Sequence, residues 1–345
     1  MSVEVYNPAS MVAARSRPRS RRPSFRFVDL CAGIGGFHVG LRGSGGVCVG
    51  AADTDKWARR VYADRFPEVP LWDSVAAFAA ASPPAFDVLT AGFPCQSFSR
   101  AGARGGLADP RAGVLGDLLD VIVACRPRAV LLENVPEFLY ADGGRARDFL
   151  VGSLRAAGYR VSWEILSAVD FDVPQVRRRV FFVATLGRGF EWWDVRRSPR
   201  RALADVLEGG AYEWLPPDAF RLFVRPRHQP GGTLWVGYLL SSHTRGLMGS
   251  YKLGVRHYHR GSDIIISDIA ASPTVVSQYT DRVGWVLVGG ERVRQFSVPE
   301  CFKLQGFPRD WARAVSKTQA RRLVGNAVVP AVVSAIGRPL AELLG

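Results

Sequence analysis

From Phe25 onward, short apolar runs alternate with stretches whose apolar positions recur every three or four residues. The runs 25–30, 47–52, 87–91, 129–133, 161–166 and 180–185 are short enough for buried strands. Between them, 56–66, 113–125 and 148–157 have helical spacing, the last stopped by Gly158. Strand–helix alternation of this kind predicts an α/β fold with a doubly wound, mostly parallel sheet. Ligands of such sheets sit beyond the carboxyl ends of the strands. After residue 186 the rhythm is lost, and Gly, Pro, Trp and Tyr become frequent. Regularity returns from about 272, and 318–336 reads as a helical return to the first domain. The expected organisation is therefore an arm (1–24), a catalytic and cofactor-binding domain (25–186), a target recognition domain (187–271) and a C-terminal part that packs back (272–345).

Charge sharpens this picture. The chain of 345 residues carries a net charge of +14, which points to a polyanionic partner. Only 4 of its 45 cations are lysine (Lys56, Lys252, Lys303 and Lys317), and arginine forks suit phosphates and guanine edges. A GC-rich genome also raises arginine, so this bias has two sources. Residues 1–24 hold a basic cluster with little apolar content, which reads as a disordered arm. The span 219–262 contains no Asp or Glu, six Arg, one Lys and every histidine except His38. Interleaved with Tyr and Trp, such a span suits nucleic acid better than a merely solvated face.

No run of about 18 apolar residues suggests a membrane span. The five cysteines show neither paired spacing nor Cys/His metal spacing, so no metal and no disulfide framework is expected. A reducing cytoplasm fits that usage.

Four segments carry chemistry. DLCAGIGGF (29–37) follows the first strand, and its glycines Gly33, Gly35 and Gly36 allow a tight turn and close approach to a ligand. Asp53 ends the second strand about 20 residues on, where a carboxylate can bind ribose hydroxyls. The spacing departs from a dinucleotide fingerprint, and an adenosine-containing methyl donor fits as well. A plain strand–helix turn is the competing reading. GFPCQSFS (92–99) puts Cys95 after a strand, with Pro94 stiffening the turn. An exposed thiolate there is a candidate nucleophile, although a lone cysteine is more often a small buried apolar residue. The Gly- and Arg-rich segment 100–111 that follows has the composition of a closing loop. LLENV (131–135) ends an apolar strand with Glu133, a candidate proton holder. In QVRRRV (175–180), Arg177 and Arg179 share one side of an extended chain. Two cations there would favour a thiolate and any developing anion. A strand-end ion pair and a solvated edge are the competing readings.

Together these segments resemble the cytosine-5 DNA methyltransferase family, in the same order along the chain. GVL (113–115), RQFSVPECFKLQGFP (294–308) and GNAVVP (325–330) extend the resemblance, which covers roughly 25–186 and 272–340. It implies a Rossmann-like S-adenosylmethionine-dependent catalytic domain with a small, irregular β-rich recognition domain. It implies Cys95, Glu133, Arg177 and Arg179 as catalytic residues. The donor would be held by Asp29, Cys31, Ala32, Gly33, Gly35, Gly36, Phe37, Asp53 and Thr54, with Asp73, Ser74, Pro94, Leu115, Asn326 and Ala327. Duplex DNA would meet Gln96, Ser99, Arg100, Arg104 and Arg111 near the nucleophile. In the variable region it would meet Arg225, Arg227, Arg245, Lys252 and Arg256.

Cys31 stands where the family usually has Phe, and Asp53 is shorter than the usual Glu. Both bear on donor affinity, and neither removes a reacting group. The implied protein is a monomer that modifies DNA, with a restriction endonuclease acting on the same site as a further partner. A tRNA methyltransferase of the same fold and a catalytically inactive DNA-binding homologue are the rival readings.

Overall fold

The computed structural model describes residues 25–94, 113–199, 201–209 and 292–345, together with the strand residues 221–222, 235–239, 263–267, 272–273 and 285–288. Seven strands form the main sheet. They are β1 (Phe25–Leu30), β2 (Gly46–Ala52), β3 (Leu71–Trp72), β4 (Val88–Gly92), β5 (Ala129–Asn134), β6 (Arg160–Ser167) and β8 (Arg178–Thr185), in the order β3-β2-β1-β4-β5-β8-β6. The intervening β7 (Gln175–Val176) pairs elsewhere.

The first five strands in that order are parallel. β8 runs antiparallel to both β5 and β6. Only residues 168–177 join β6 to β8, too short for the crossover that parallel neighbours require. This reversal matters for the site. The first residues of β8 lie at the edge where β4 and β5 end, so residues from these three strands meet there.

Side-chain alternation gives the sheet two buried faces. Phe25, Phe27, Leu131, Phe181 and Val183 pack on one face with Leu41, Val333 and Ile336. These come from α1 (Gly36–Arg42) and from α8 (Pro330–Leu344). Val28, Leu89, Val130, Leu132 and Phe182 pack on the other, against α3 (Val75–Ala80), α4 (Gly113–Cys125) and α5 (Arg145–Ala156). α2 (Lys56–Arg65) is capped by Asp55, whose carboxylate accepts from the N–H groups of Trp57 and Ala58. α3 was not legible in the sequence. It starts at Ser74, whose hydroxyl accepts from Ala77 N–H as an N-cap.

The expected helix 318–336 is two helices, α7 (Lys317–Asn326) and α8. Pro330 has no N–H to continue a helix and fits the first turn of a new one. The stretch from Lys317 to Leu344 is long and apolar enough to cross a membrane by composition, but more than half of its apolar window is buried in the core.

A second sheet has the order β14-β13-β10-β11-β9. Its strands are β9 (Arg221–Leu222), β10 (Trp235–Leu239), β11 (Asp263–Ser267), β13 (Trp285–Val288) and β14 (Arg292–Gln295). β12 (Ser272–Pro273) pairs with β7. β13 and β14 lie beyond residue 271 yet belong to the second sheet. Leu203 and Val206 lie after 187 yet pack with Phe296, Phe302 and Leu323. The N-terminal arm lies outside the described residues.

Candidate active site

β4 and β5 pair so that Gly92 stands opposite Glu133. Three residues beyond Gly92 comes Cys95, which lies outside the described residues. A Cβ at position 92 would sit 3.5 Å from Glu133 Oε2. That is an ordinary contact distance, so the Glu133 carboxyl group lies directly beside the end of β4.

Across the other side of β5, Glu133 stands opposite Phe181. Arg179 is two residues from Phe181, on the same face and within diagonal reach of Glu133. Arg179 Nε is 3.0 Å from Glu133 Oε1, with the two side chains only 17% and 10% exposed. Arg179 Nη1 also donates to the Arg178 carbonyl at 2.8 Å. The sequence placed these two residues on strands; the register of an antiparallel pair joins them.

Arg177 is deeply buried and Nη2 donates to the Ala327 carbonyl at 3.0 Å. Burial, and then the charge of Arg179, hold its guanidinium well below the usual arginine range, with Glu133 opposing them. Arginine remains charged even so, which means that its charge is costly here. Around it lies a polar network absent from the sequence reading. Gln175 Nε2 donates to Leu304 O and to Gln305 Oε1, both at 2.8 Å. Gln305 Nε2 donates to the same Ala327 carbonyl.

A glycine-rich turn joins β1 to α1. Cys31 (φ 61°) and Gly33 (φ 56°) both adopt left-handed backbone. Asp53 closes this turn, since its Oδ2 accepts Gly33 N–H at 2.7 Å and its Oδ1 accepts Asp55 N–H at 2.8 Å. Each oxygen keeps a further lone pair for a hydroxyl. Burial pushes the Asp53 carboxyl up, against those two bonds.

A Cβ at Gly33 would meet nothing within 4 Å, whereas at Gly35 and Gly36 it would strike Phe66 and the Val328 carbonyl. The turn is therefore packed on one side and open on the other, as a ligand cradle requires. Asp29 is fully buried. Its Oδ1 accepts from Thr90 at 3.2 Å, and its Oδ2 has no partner of good geometry among the described residues. Burial drives this carboxyl well above the usual range, with Asp53 adding to the effect while Thr90 and the His38 N–H oppose it. An open glycine turn with carboxyl groups beneath it suits a cationic, hydroxyl-bearing nucleoside.

A family model for C-5 cytosine-specific DNA methylases matches residues 25–342. The chain belongs to this family. The type II methyltransferase M.HpaII of Haemophilus parainfluenzae is 31% identical, with 97% of this chain and 94% of that protein covered. M.NlaX of Neisseria lactamica is 30% identical, with 93% and 97% covered. Two solved structures share the fold. One is the Entamoeba histolytica methyltransferase EhMeth, with a TM-score of 0.64 at 16% identity over 93% of this chain and 98% of that one. The other is the S. pombe Dnmt2 methyltransferase, with a TM-score of 0.61 at 21% identity over the same shares.

The chain is accordingly a DNA cytosine-5 methyltransferase, and its family implies S-adenosylmethionine as donor and DNA as substrate. In this methylase, Ala32, Phe37 and Leu115 are core residues, while Thr54, Asp73 and Pro94 are exposed at the ends of β2, β3 and β4. Ser74 donates to Asp73 at 3.1 Å. Asn326 is exposed at the end of α7, and Ala327 is buried beside Arg177. Gln96, Ser99, Arg100, Arg104, Arg111, Arg225, Arg227, Arg245, Lys252 and Arg256 lie outside the described residues.

Besides Gln175 and Gln305, the sequence reading missed Thr90 and Asp117. Asp117, on α4, joins Asp53 and Asp29 in raising the Cys31 thiol, after burial as the main cause. The signal for Thr90 was available, as a polar residue in an otherwise apolar strand.

Proposed function

We propose that this methylase acts on a flipped-out cytosine within a specific duplex sequence, through a covalent bond to Cys95, as the modification enzyme of a restriction–modification system. The observation that carries the reading is the Glu133–Arg179 pair at the carboxyl edge of the sheet, beside the strand that leads to Cys95. The names of the type II relatives support the biological setting. A monomer in the cytoplasm, with an endonuclease acting on the same site, completes the proposal.

The Cys95 thiolate attacks carbon 6 of the base. The displaced electron pair moves toward ring nitrogen 3, where Glu133 supplies the proton that neutralises it. Carbon 5 thereby becomes an enamine nucleophile. S-adenosylmethionine would be held by the 29–37 turn, Asp53 and Asp73 and would supply a sulfonium methyl group, which the carbon 5 electron pair takes as the neutral thioether leaves. Carbon 5 later loses its proton to water, the carbon–sulfur bond breaks with its electrons returning to Cys95, and Glu133 recovers the nitrogen 3 proton. Arg179 holds Glu133 and the base oxygen, and Arg177 braces the site. A stacked base cannot present both faces at once, so the target leaves the helix at a cost of a few kcal/mol.

Cys95→Ser and Cys95→Ala are the test. With labelled donor and duplex DNA, neither variant is expected to transfer methyl groups, while both still bind DNA. Turnover by either variant overturns the assignment. Parallel reactions on DNA and tRNA check the substrate class, with label expected in DNA alone.

A further inference from the structure

We propose that Gln305 is a positioning residue for Arg177, acting through the carbonyl of Ala327 that both side chains bind. The inference rests on the reading of Arg177 as an active-site cation.

Three distant segments meet at this point. Arg177 follows β7, Gln305 follows α6 (Val298–Leu304), and Ala327 links α7 to α8. Gln175, Gln305, Arg177 and Ala327 are all buried, the two glutamines completely. The Ala327 carbonyl has two lone pairs. One takes Arg177 Nη2 at 3.0 Å and the other takes Gln305 Nε2. Gln305 Oε1 in turn accepts from Gln175 at 2.8 Å. An amide meets both demands at position 305, whereas a carboxylate cannot donate and an apolar side chain can do neither.

Buried polar groups are costly unless bonded, and a fully bonded network holds one arrangement. Arg177 needs such a hold, since burial and Arg179 both work against its charge. The far side of the same segment is also fixed. A Cβ on Gly36 would lie 2.5 Å from the Val328 carbonyl oxygen, so α1 and residue 328 are in close contact. The 327–328 backbone is thus wedged between the donor cradle and Arg177. Gln305 sets its position on the Arg177 side.

The test is a double-mutant cycle on the full chain, read as single-turnover methyl transfer at saturating donor and duplex DNA. Gln305→Met keeps the volume and removes both hydrogen bonds. It is expected to slow transfer about 10- to 100-fold, the scale of a small misplacement of an active-site group. In an Arg177→Met background the same change is expected to cost less than about threefold, because the group it positions is gone. A purely structural role would instead give losses that multiply. If Gln305→Met does not fold, as judged by its melting transition, Gln175→Leu replaces it. That variant frees the Gln305 acceptor and is expected to give the same direction and the same non-additivity. Multiplying losses, or a parental rate in the folded single variant, overturn the positioning role alone. A parental rate in Arg177→Met removes the reading of Arg177 as an active-site cation, and the present inference with it.

Discussion

Arg179 Nε lies 3.0 Å from Glu133 Oε1, across the antiparallel junction of β5 and β8. The pair is nearly buried, so its members depend on each other. Removing one partner of a buried pair costs about 3–5 kcal/mol, whereas replacing both with apolar groups costs much less. Arg179→Met is therefore expected to destabilise the enzyme more than the double variant Glu133→Leu/Arg179→Met. Urea denaturation of the two proteins checks this order. Both variants are expected to be inactive, and an active Glu133→Leu protein would remove Glu133 from the chemistry.

The glycines of the donor turn differ in what they tolerate. At Gly36 an added Cβ would sit 2.5 Å from a backbone oxygen and 2.6 Å from Val328 Cγ1. Gly36→Ala is expected to cost about 1–3 kcal/mol, as overpacking does, and to weaken donor binding by displacing α1. Gly33 has open space, and its alanine variant meets only the left-handed backbone penalty of about 1–2 kcal/mol. Calorimetric titration with S-adenosylmethionine, alongside melting temperatures, distinguishes the two. Equal loss of donor affinity in the two variants would contradict the packed-side, open-side description.

His38 is buried against Phe66, with ring centroids 3.7 Å apart, and Nδ1 is 2.9 Å from the Tyr62 hydroxyl. Burial, and then Arg42, lower its pKa from 6.5 to about 4. The folded state therefore resists protonation while the unfolded state accepts it near pH 6.5. Stability due to His38 is present above pH 6.5 and lost as pH falls toward 4. Comparing the enzyme with His38→Phe isolates this contribution, because the raised carboxyls Asp29 and Asp53 are common to both. The stability difference is expected to shift in favour of the Phe variant across that window. A difference independent of pH would show that His38 protonates normally in the fold.

Sequence choice is expected to travel with the second sheet. The exchange should span 210–291: Leu203 and Val206 stay on the catalytic side with Phe302, and β14 stays there too, held through Arg294 and Glu300, as the edge on which the exchanged β13 pairs. The Arg294–Glu300 pair is bidentate, at 2.8 Å for each bond. Chimeras cut at these points should methylate the donor protein's site, read by bisulfite sequencing. Cuts at 187 and 271 divide both packing units, and such proteins should melt at lower temperature. An unchanged site in a folded 210–291 chimera would place recognition elsewhere.

The sequence alone determined most strands of the main sheet and most helices, and it supplied the candidates for the reacting groups. Each of these is a local property. Apolar runs mark β1, β4 and β5 whatever their partners, and a left-handed turn needs glycine at Gly33 and Gly35. Motif order then named the family, and with it Cys95, Glu133, Arg177 and Arg179.

Other features belong to the tertiary structure, because they arise between residues far apart in the chain. No local pattern announces that β8 turns back against β5, yet that reversal carries Arg179 to Glu133. Gln175 and Gln305 lie in two separate motifs, and nothing in either says that they meet, which happens only when α6 docks on β7, 130 residues away. The limits of the second sheet follow from pairing between β10, β13 and β14, which composition does not encode. Residue chemistry is set by the side chain itself, whereas its neighbours, register and buried partners are set by how the whole chain packs.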